Sequence, residues 1–340
     1  MDARMRTVLR RMALPRGAGT LALLVLVAAL ACGAGGKDRQ PDAKPAAAAP
    51  AAPAHRDEAG PFERLPAPER LVAIGDIHGS LRALHAALRK AGAVDERWQW
   101  VGGPLVVVFT GDLIDRGDDD LDVLKALDRV RSDAEKKGGA LHILTGNHEA
   151  ANVDGKFIEV SAKGFESFRS EVTATDLEAP GLRKIKEERR ARAAAFQPGS
   201  KWAQWLSRNP AVLVVGDTVF VHGGLRRGHV RLGLSVINAR IGDWMSGKSR
   251  KRPGKLMGGD GPLWIRDYSK DPGKEDCKKL ERMLDALQAR RMVVGHTIQP
   301  HINSACDGRV WRIDTGMNPE HFKGPIEVLE IRGDRVTPLR

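Results

Sequence analysis

Cysteine is scarce in this chain, and its three positions exclude several chemistries. No CxxC pair is present, so the ligand set of a zinc finger is missing. A catalytic cysteine would be expected in an anion-binding loop before a helix, where the pKa of the thiol falls. None of Cys32, Cys277 and Cys306 lies in such a loop.

Two frequent active-site motifs are also absent. The chain has no GxxxxGK[ST] loop to hold nucleotide phosphates and no GxSxG turn to present a nucleophilic serine. P-loop nucleotide hydrolysis and serine-dependent acyl transfer therefore find no support in the sequence.

Acidic residues are outnumbered by basic ones, which gives a net charge of +12. The balance is still +8 without residues 1–31, which hold five Arg and one Asp. Much of the charge lies in two runs, 183–192, predicted to be a solvated helix, and 248–255, predicted to be a mobile loop. Because no aromatic residues interleave with these runs, nucleic-acid binding is disfavoured. A basic surface instead favours acidic phosphorylated substrates or anionic lipid headgroups.

The chain does contain five short islands in which Asp, Asn or His lies beside Gly. They are GDIHG at 75–79, GDLIDRG at 111–117, GNHE at 146–149, HGG at 222–224 and GH at 295–296. Taken singly each is weak, because a GD after a strand is more often a turn and GNHE could be a loop with a helix N-cap. Together they supply the carboxylate, amide and imidazole ligands of Mn, Fe or Zn. Two such ions about 3.5–4 Å apart can share a carboxylate, so the islands predict a two-metal site.

Apolar, β-branched stretches precede three of these islands. Leu71–Ile74, residues 105–110 and residues 141–145 are each long enough for a buried strand. Between these stretches lie residues 81–91 and 121–137, whose apolar residues recur at helical spacing. This order predicts a sheet with parallel pairs and helices on its faces. A Gly at the end of a strand can adopt a positive φ, which would turn the next side chain into the crevice at the carboxyl edge.

The motif series resembles that of the calcineurin-like metallophosphoesterases, and DRG, GNHE and HGG resemble the phosphoprotein phosphatase branch. Further stretches are similar to the Shewanella-like protein phosphatases: LTGNHEAANVDGKF, VGDTVFVHGGL, GPLWIR and RMVVGHTIQ followed by CDGRVWRIDTGM. The resemblance covers about residues 71–332. It implies an α/β fold, a four-layer α/β/β/α sandwich of two packed mixed sheets with flanking helices.

Matched motif by motif, the resemblance also implies site residues. The implied metal ligands are Asp76 and His78 for one ion, Asp112 for both as the bridge, and Asn147, His222 and His296 for the other. His148 is the implied general acid, held by Asp115. Arg116 offers a planar fork that matches phosphate oxygens. Arg266 of GPLWIR is a second implied phosphate ligand, the alternative being a surface Arg that follows a buried Trp264.

The expected function is hydrolysis of a phosphomonoester, on a phosphoprotein or a small phosphoester. Two cations on one shared water should lower its pKa and provide a hydroxide for in-line attack. The chain lacks the SAPNYC-type stretch of eukaryotic Ser/Thr phosphatases, so their substrate preference is not carried over. The rivals are a phosphodiesterase or dinucleotide-polyphosphate hydrolase on the same scaffold, and a phosphate-binding module without turnover. The intact ligand set argues against the module.

The N-terminal sequence predicts that the protein is exported from the cytoplasm. Residues 1–31 combine five Arg with an apolar run and a small-residue ending, which is typical of a secretory signal. Cys32 follows, as at a bacterial lipoprotein processing site, although Ala29 stands where Leu is usual. Lipid attachment at Cys32, anchoring the protein to a membrane, is favoured over plain cleavage after Ala31. Residues 32–69 are predicted to be a disordered Ala/Pro-rich spacer and residues 70–340 the catalytic domain.

Export has a consequence for the two remaining cysteines. With Cys32 lipidated or removed, Cys277 and Cys306 form an even pair in an oxidising compartment, which favours a disulfide. Such a bond would close a loop that carries His296. Two separate buried thiols are the alternative.

Overall fold

The computed structural model describes residues 63–179 and 181–340. The predicted signal peptide, Cys32 and most of the predicted spacer lie outside the described residues. The strands of the described part are Arg64–Leu65 (β1), Leu71–Ile74 (β2), Val106–Phe109 (β3), Ala140–Ile143 (β4), Val212–Val215 (β5), Thr218–Val221 (β6), Arg291–Val294 (β7), Asn303–Ala305 (β8), Val310–Arg312 (β9), Val328–Arg332 (β10) and Arg335–Leu339 (β11).

The helices of the same part surround these strands. They are Leu81–Lys90 (α1), Asp120–Lys136 (α2), Asn147–Val153 (α3), Ala162–Glu166 (α4), Ala174–Leu177 (α5), Glu187–Phe196 (α6), Lys201–Leu206 (α7), Arg227–Leu232 (α8), Leu234–Met245 (α9) and Lys274–Ala286 (α10), with short 3₁₀ helices at Ser167–Glu171 and Leu182–Lys184. Among these residues no helix combines the length and the apolar character needed to cross a membrane.

The predicted alternation of strands and helices is confirmed. β2, β3 and β4 pair in parallel, in the order β11-β10-β2-β3-β4 of a five-stranded sheet. α1 and α2 make the crossovers, and the Ser80 side chain accepts a hydrogen bond from the Ala83 amide at the start of α1. Both helices begin within one residue of the predicted position.

The second sheet has six strands in the order β1-β5-β6-β7-β9-β8. Alternate residues of the strands face different layers. In β2, Leu71 and Ala73 belong to a cluster that includes Phe220 and Val293 of the second sheet, whereas Val72 packs into the cluster formed with the helices. The two mixed sheets therefore pack face to face with helices outside them, and the predicted four-layer α/β/β/α sandwich is confirmed.

The glycines at the strand ends have two roles rather than the single one predicted. Gly111 adopts a φ of 102°, as expected for a turn that directs Asp112 into the crevice. Gly146 and Gly295 have no positive φ, and they are needed for space. A Cβ at Gly146 would collide with the carboxylate of Asp112, and one at Gly295 with Oδ1 of Asp76. At both positions the backbone approaches a predicted metal ligand too closely to leave room for a side chain.

Two predictions outside the site need correction. Residues 64–65 fall within the predicted disordered spacer, but they form β1. This strand pairs in parallel with β5 at Val214 and Val215. Backbone hydrogen bonds to the sheet edge order this stretch although its composition resembles a linker. The run 183–192 is not solvated throughout, because Arg192 on α6 is fully buried. The run 248–255 lies outside helices and strands, and its mobility stays a prediction.

The disulfide between Cys277 and Cys306 is confirmed, with 5.1 Å between the two α-carbons. Cys277 lies in the first turn of α10, and Cys306 follows β8. The bond joins residues 29 apart in sequence and closes a loop that includes β7 and His296. It therefore restrains the segment that carries a predicted metal ligand.

Replacing both Cys277 and Cys306 by Ser should lower the free energy of unfolding by about 3–4 kcal/mol, because the unfolded chain regains the entropy of the open loop. Urea denaturation measures the change, with Cys32→Ser as the control that leaves stability unaltered. Titration of the unfolded, unreduced full chain should find at most one reactive thiol. Three reactive thiols would contradict the bond.

Candidate active site

Left-handed backbone marks the ends of the central strands. His78, Asp112, Asp115, Arg116 and His296 all have φ between 48° and 71°, a region that side chains rarely adopt. Such conformations persist where the surrounding structure enforces them, and they cluster at functional sites. The carboxyl edge of the two sheets therefore brings together residues from three of the five islands through strained turns.

Asp112 lies at the centre of the site. Its Oδ2 is 3.3 Å from Nε2 of His222, 3.8 Å from Nε2 of His78 and 3.9 Å from Nε2 of His148. Its Oδ1 accepts a hydrogen bond from the His148 amide at 2.9 Å. One oxygen of Asp112 is thus held by the protein, and the other faces three imidazoles, as a bridging carboxylate requires.

One side of Asp112 is formed by Asp76 and His78. Asp76 is buried, and its Oδ2 accepts a hydrogen bond from the His296 amide at 3.0 Å. Its Oδ1 is buried without a hydrogen-bond partner among the described residues. An orphaned carboxylate oxygen is costly, so it fits a cation ligand. His78 donates from Nδ1 to the carbonyl of Ile114 at 3.3 Å. Its Nε2 lies 3.8 Å from Oδ2 of Asp112 and 2.5 Å from Nη1 of Arg116.

The other side is formed by Asn147, His222 and His296. Nδ1 of His222 lies 2.9 Å from the carbonyl of Thr110 and must donate to it. Nε2 then lies 2.9 Å from Oδ1 of Asn147. These two atoms converge with Oδ2 of Asp112, and this set of nitrogen and oxygen atoms suits a cation between them. His296 stacks near His222, with ring centroids 4.9 Å apart.

The charge distribution also fits two cations. Burial and the charges of Asp314 and Asp112 raise the pKa of Asp76 well above its usual range. Burial and the charge of Asp112 raise the pKa of Asp314 to about 6, although a hydrogen bond from the Gly316 amide opposes them. The carboxylates repel one another in a dry site, and positive charge between them would remove this penalty.

Two of these imidazoles, those of His78 and His296, have lowered pKa values, which favour the neutral form that a metal ligand needs. Burial lowers the pKa of His78 well below its usual value, although Asp112 opposes it. Burial and the neighbouring His222 lower the pKa of His296 to about 3. Burial therefore favours the neutral form of both rings at neutral pH.

His148 is the exception among the histidines. Burial would lower its pKa, but the charge of Asp112 and the hydrogen bond and charge of Asp115 raise it to about 9. Nδ1 of His148 lies 2.7 Å from Oδ2 of Asp115, a buried carboxylate. By distance alone His148 could join His78 and Asp112 around an ion. A protonated imidazole cannot be a ligand, so the environment favours the predicted role of proton donor, which stays a prediction.

The two predicted phosphate-binding arginines both reach the site. Nη1 of Arg116 lies 2.5 Å from Nε2 of His78, and Nε donates to Glu159 at 2.5 Å. Nη1 of Arg266 donates to the carbonyl of His296 at 2.6 Å. The bond to the His296 carbonyl places Arg266 beside the site, so it is not a surface residue remote from it. Their phosphate contacts remain predictions.

Several residues of the site escaped sequence reasoning. Glu149 accepts hydrogen bonds from the amides of Asp112, Leu113 and Gly146, and so ties two islands together. Its position three residues after Gly146 is the signal of a capping box. Asp314 directly follows the predicted strand 309–313. This position after a predicted strand is the signal that also marks the islands. Arg192, which bonds Asp115, gave no local signal, because its neighbours read as a solvated helix.

Comparisons with known proteins agree with this geometry. The sequence profile described as calcineurin-like phosphoesterase matches residues 69–300. The chain belongs to the calcineurin-like phosphoesterase family. It is 38% identical over 301 residues to Shewanella-like protein phosphatase 2 of Arabidopsis thaliana, covering 80% of this chain and 77% of the plant protein. It is 30% identical over 261 residues to Shewanella-like protein phosphatase 1 of Plasmodium berghei, and the match covers 73% of this chain and 67% of the Plasmodium protein.

The fold agrees with a solved structure. The cold-active protein-tyrosine phosphatase of a psychrophilic Shewanella species superposes with a TM-score of 0.65 at 23% identity, covering 83% of this chain and 80% of the other. Membership of the family confirms the resemblance drawn from the motifs. The chain is a metallophosphoesterase, and the family uses two divalent metal ions. The donor groups around Asp112 suit such a pair.

If Asp112 is the bridge, Asp112→Asn should lose more metal and more turnover than any variant of a ligand to one ion. Asp76→Asn is the comparison, since it makes the same chemical change at a ligand of one ion. Asp122→Asn, an exposed position on α2, is the control. Metal analysis by mass spectrometry, with turnover on an aryl phosphate, provides the measurement. Unchanged metal content and turnover in Asp112→Asn would rule out the bridge.

Proposed function

We propose that this metallophosphoesterase hydrolyses phosphomonoesters on phosphorylated proteins. The observation that carries the proposal is the His148–Asp115 pair, with Nε2 of His148 3.9 Å from the central oxygen of Asp112. A monoester leaves as an alkoxide or phenoxide that needs a proton, and a charged imidazole at this place can deliver it. The protein phosphatases among its relatives support a protein substrate.

Each side chain of the site has a task in this proposal. Asp76 and His78 would hold one ion, and Asn147, His222 and His296 the other. Asp112 would hold both. Two divalent cations bound there would supply Lewis acidity for the phosphoryl oxygens and activate water. We infer Mn, Fe or Zn, because carboxylate, amide and imidazole ligands suit each of them.

Arg116 and Arg266 would bind phosphoryl oxygens of the substrate. Arg116 is part-buried and stacks over Phe322 at 4.9 Å, so its guanidinium is held at the edge of the site. Arg266 is fixed by Thr297 and the His296 carbonyl at 2.7 and 2.6 Å. Two planar guanidinium groups at the site suit a dianionic monoester better than a diester, which carries one negative charge less.

We further propose that the protein is exported and anchored to a membrane through a lipid on Cys32. The disulfide between Cys277 and Cys306 supports export, because such bonds persist in oxidising compartments. Cell fractionation tests the anchor. Cys32→Ser should move the protein from the membrane to the soluble fraction, and an unchanged distribution would contradict lipid attachment.

A preparation of known metal content, assayed on matched substrates, tests the reaction type. Phosphotyrosine, phosphoserine and phosphothreonine peptides should be hydrolysed faster than the diester bis(p-nitrophenyl) phosphate. The reverse order would favour a phosphodiesterase or dinucleotide-polyphosphate hydrolase. A protein that contains both ions and turns over none of these substrates would be a binding module.

His148→Asn should keep both metal ions and lose on the order of 10²–10⁴ in turnover of alkyl phosphates, because the leaving group loses its proton donor. The loss should be smaller for p-nitrophenyl phosphate, whose leaving group needs no proton. His301→Asn, at an exposed histidine bonded to Glu327, is the control. If His148→Asn loses metal instead, His148 is a ligand and not the acid.

A further inference from the structure

A fully buried arginine lies behind the His148–Asp115 pair. The Arg192 side chain has 0% of its surface exposed, as have those of Asp115 and Asp120. It donates from Nη2 to Asp115 at 2.5 Å and from Nη1 to Asp120 at 2.6 Å. Nε donates to Oδ1 of Asn152 at 2.7 Å, and Nη1 also reaches the carbonyl of Gly164 at 2.8 Å. The guanidinium thus has a partner in each direction.

These contacts fix the orientation of the Asp115 carboxylate. Oδ1 accepts from Arg192, and Oδ2 accepts from His148 at 2.7 Å. Nδ2 of Asn152 contacts both oxygens, at 3.0 and 2.9 Å. Asp120 accepts from the backbone amide of Asp115 at 2.9 Å. Because each oxygen of Asp115 has its own donor, the carboxylate cannot rotate without losing a charged hydrogen bond.

Arg192 is the cationic partner of two buried carboxylates. It bonds both Asp115 and Asp120, whose side chains are fully buried. Removing one partner of a buried ion pair leaves the remaining charge uncompensated, which is costly in a dry interior.

Arg192 also comes from a different part of the chain than the islands. It lies on α6, within the helical segment 162–206 that is inserted between α3 and β5. On the same helix Arg189 lies over the ring of Phe165 instead of reaching the site. Through Arg192 and the Gly164 carbonyl, α6 and α4 are tied to the catalytic edge of the sheet.

We propose that Arg192 is a positioning residue for leaving-group protonation. It holds the Asp115 carboxylate in the orientation that presents the His148 ring to the substrate, and it makes the helical segment 162–206 part of the catalytic apparatus. This inference rests on the proposed function, in which His148 is the general acid. A purely structural role would stabilise the fold and affect all substrates equally.

The test compares Arg192→Met and Arg192→Lys with two control variants. Arg189→Met is an exposed change on the same helix. Arg131→Met removes a part-buried arginine that bonds Asn209 and lies over the ring of Trp205. Metal content, thermal unfolding and turnover of an alkyl and an aryl phosphate are measured for each. Arg192→Lys keeps the charge with fewer donors, so it folds even if the Met variant does not and should recover part of the activity.

The expected result is selective. Arg192→Met should keep both metal ions and lose on the order of 10–10²-fold in turnover of the alkyl phosphate, with a smaller loss for the aryl phosphate, since only part of the acid's contribution depends on its position. Equal losses on both substrates, like those of Arg131→Met, would overturn the proposal. So would unchanged turnover of the alkyl phosphate in Arg192→Met and Arg192→Lys.

A double variant separates this inference from the proposed function. If Arg192 acts through His148, adding Arg192→Met to His148→Asn should cost little beyond His148→Asn alone. Losses that multiply would show that Arg192 acts elsewhere, while the role of His148 would stand. If His148→Asn alone shows no preference between alkyl and aryl substrates, the acid assignment fails first, and the inference on Arg192 fails with it.

Discussion

Buried negative charge at one edge of the molecule is the constraint around which the rest of the site is arranged. Asp76, Asp112, Glu149 and Asp314 are each at most 2% exposed, and all four lie near the ends of the central strands. Carboxylates at such depth are costly unless each one has a partner. The left-handed turns, the glycines and the inserted helices can each be understood as ways to supply those partners.

The hydrogen-bond partners differ from one carboxylate to the next, and the difference indicates what each carboxylate does in the site. Both carboxylate oxygens of Glu149 accept hydrogen bonds from backbone amides, three in all. Glu149 therefore joins two islands and has no oxygen left to bind a cation. Asp115 is satisfied by protein side chains, one of them the buried Arg192, so it orients a neighbour. Asp76 keeps one oxygen without a partner, and Asp112 keeps one that faces imidazoles. The carboxylate oxygens that receive no hydrogen bond from the protein are those that suit a cation.

The local part of this arrangement could be predicted from the sequence, and the long-range part could not. An apolar run followed by a glycine and a ligand residue marks the end of a strand, and parallel strands bring such ends together. The topology of β2 to β4 and the placement of the predicted ligands follow from that pattern. Arg192 lies 77 residues from Asp115 on a helix whose neighbours are charged and Ala-rich, so no local period marks it as buried. The strand at Arg64–Leu65 was missed for the same reason, since its partner β5 lies far along the chain.

The histidines show how one residue type is divided between two tasks by its second nitrogen. Nδ1 of His78 and of His222 lie against the carbonyls of Ile114 and Thr110, and Nε2 of His296 lies against that of Trp264. A carbonyl can only accept, so each of these rings donates there and keeps its other nitrogen for a different partner. Nδ1 of His148 meets the carboxylate of Asp115 instead. A negative charge at that nitrogen stabilises the imidazolium, so the other nitrogen can carry a proton on the side that faces Asp112. The proposed division between ligands and acid therefore follows from whether the partner behind the ring is a carbonyl or a carboxylate, and Arg192 bonds that carboxylate.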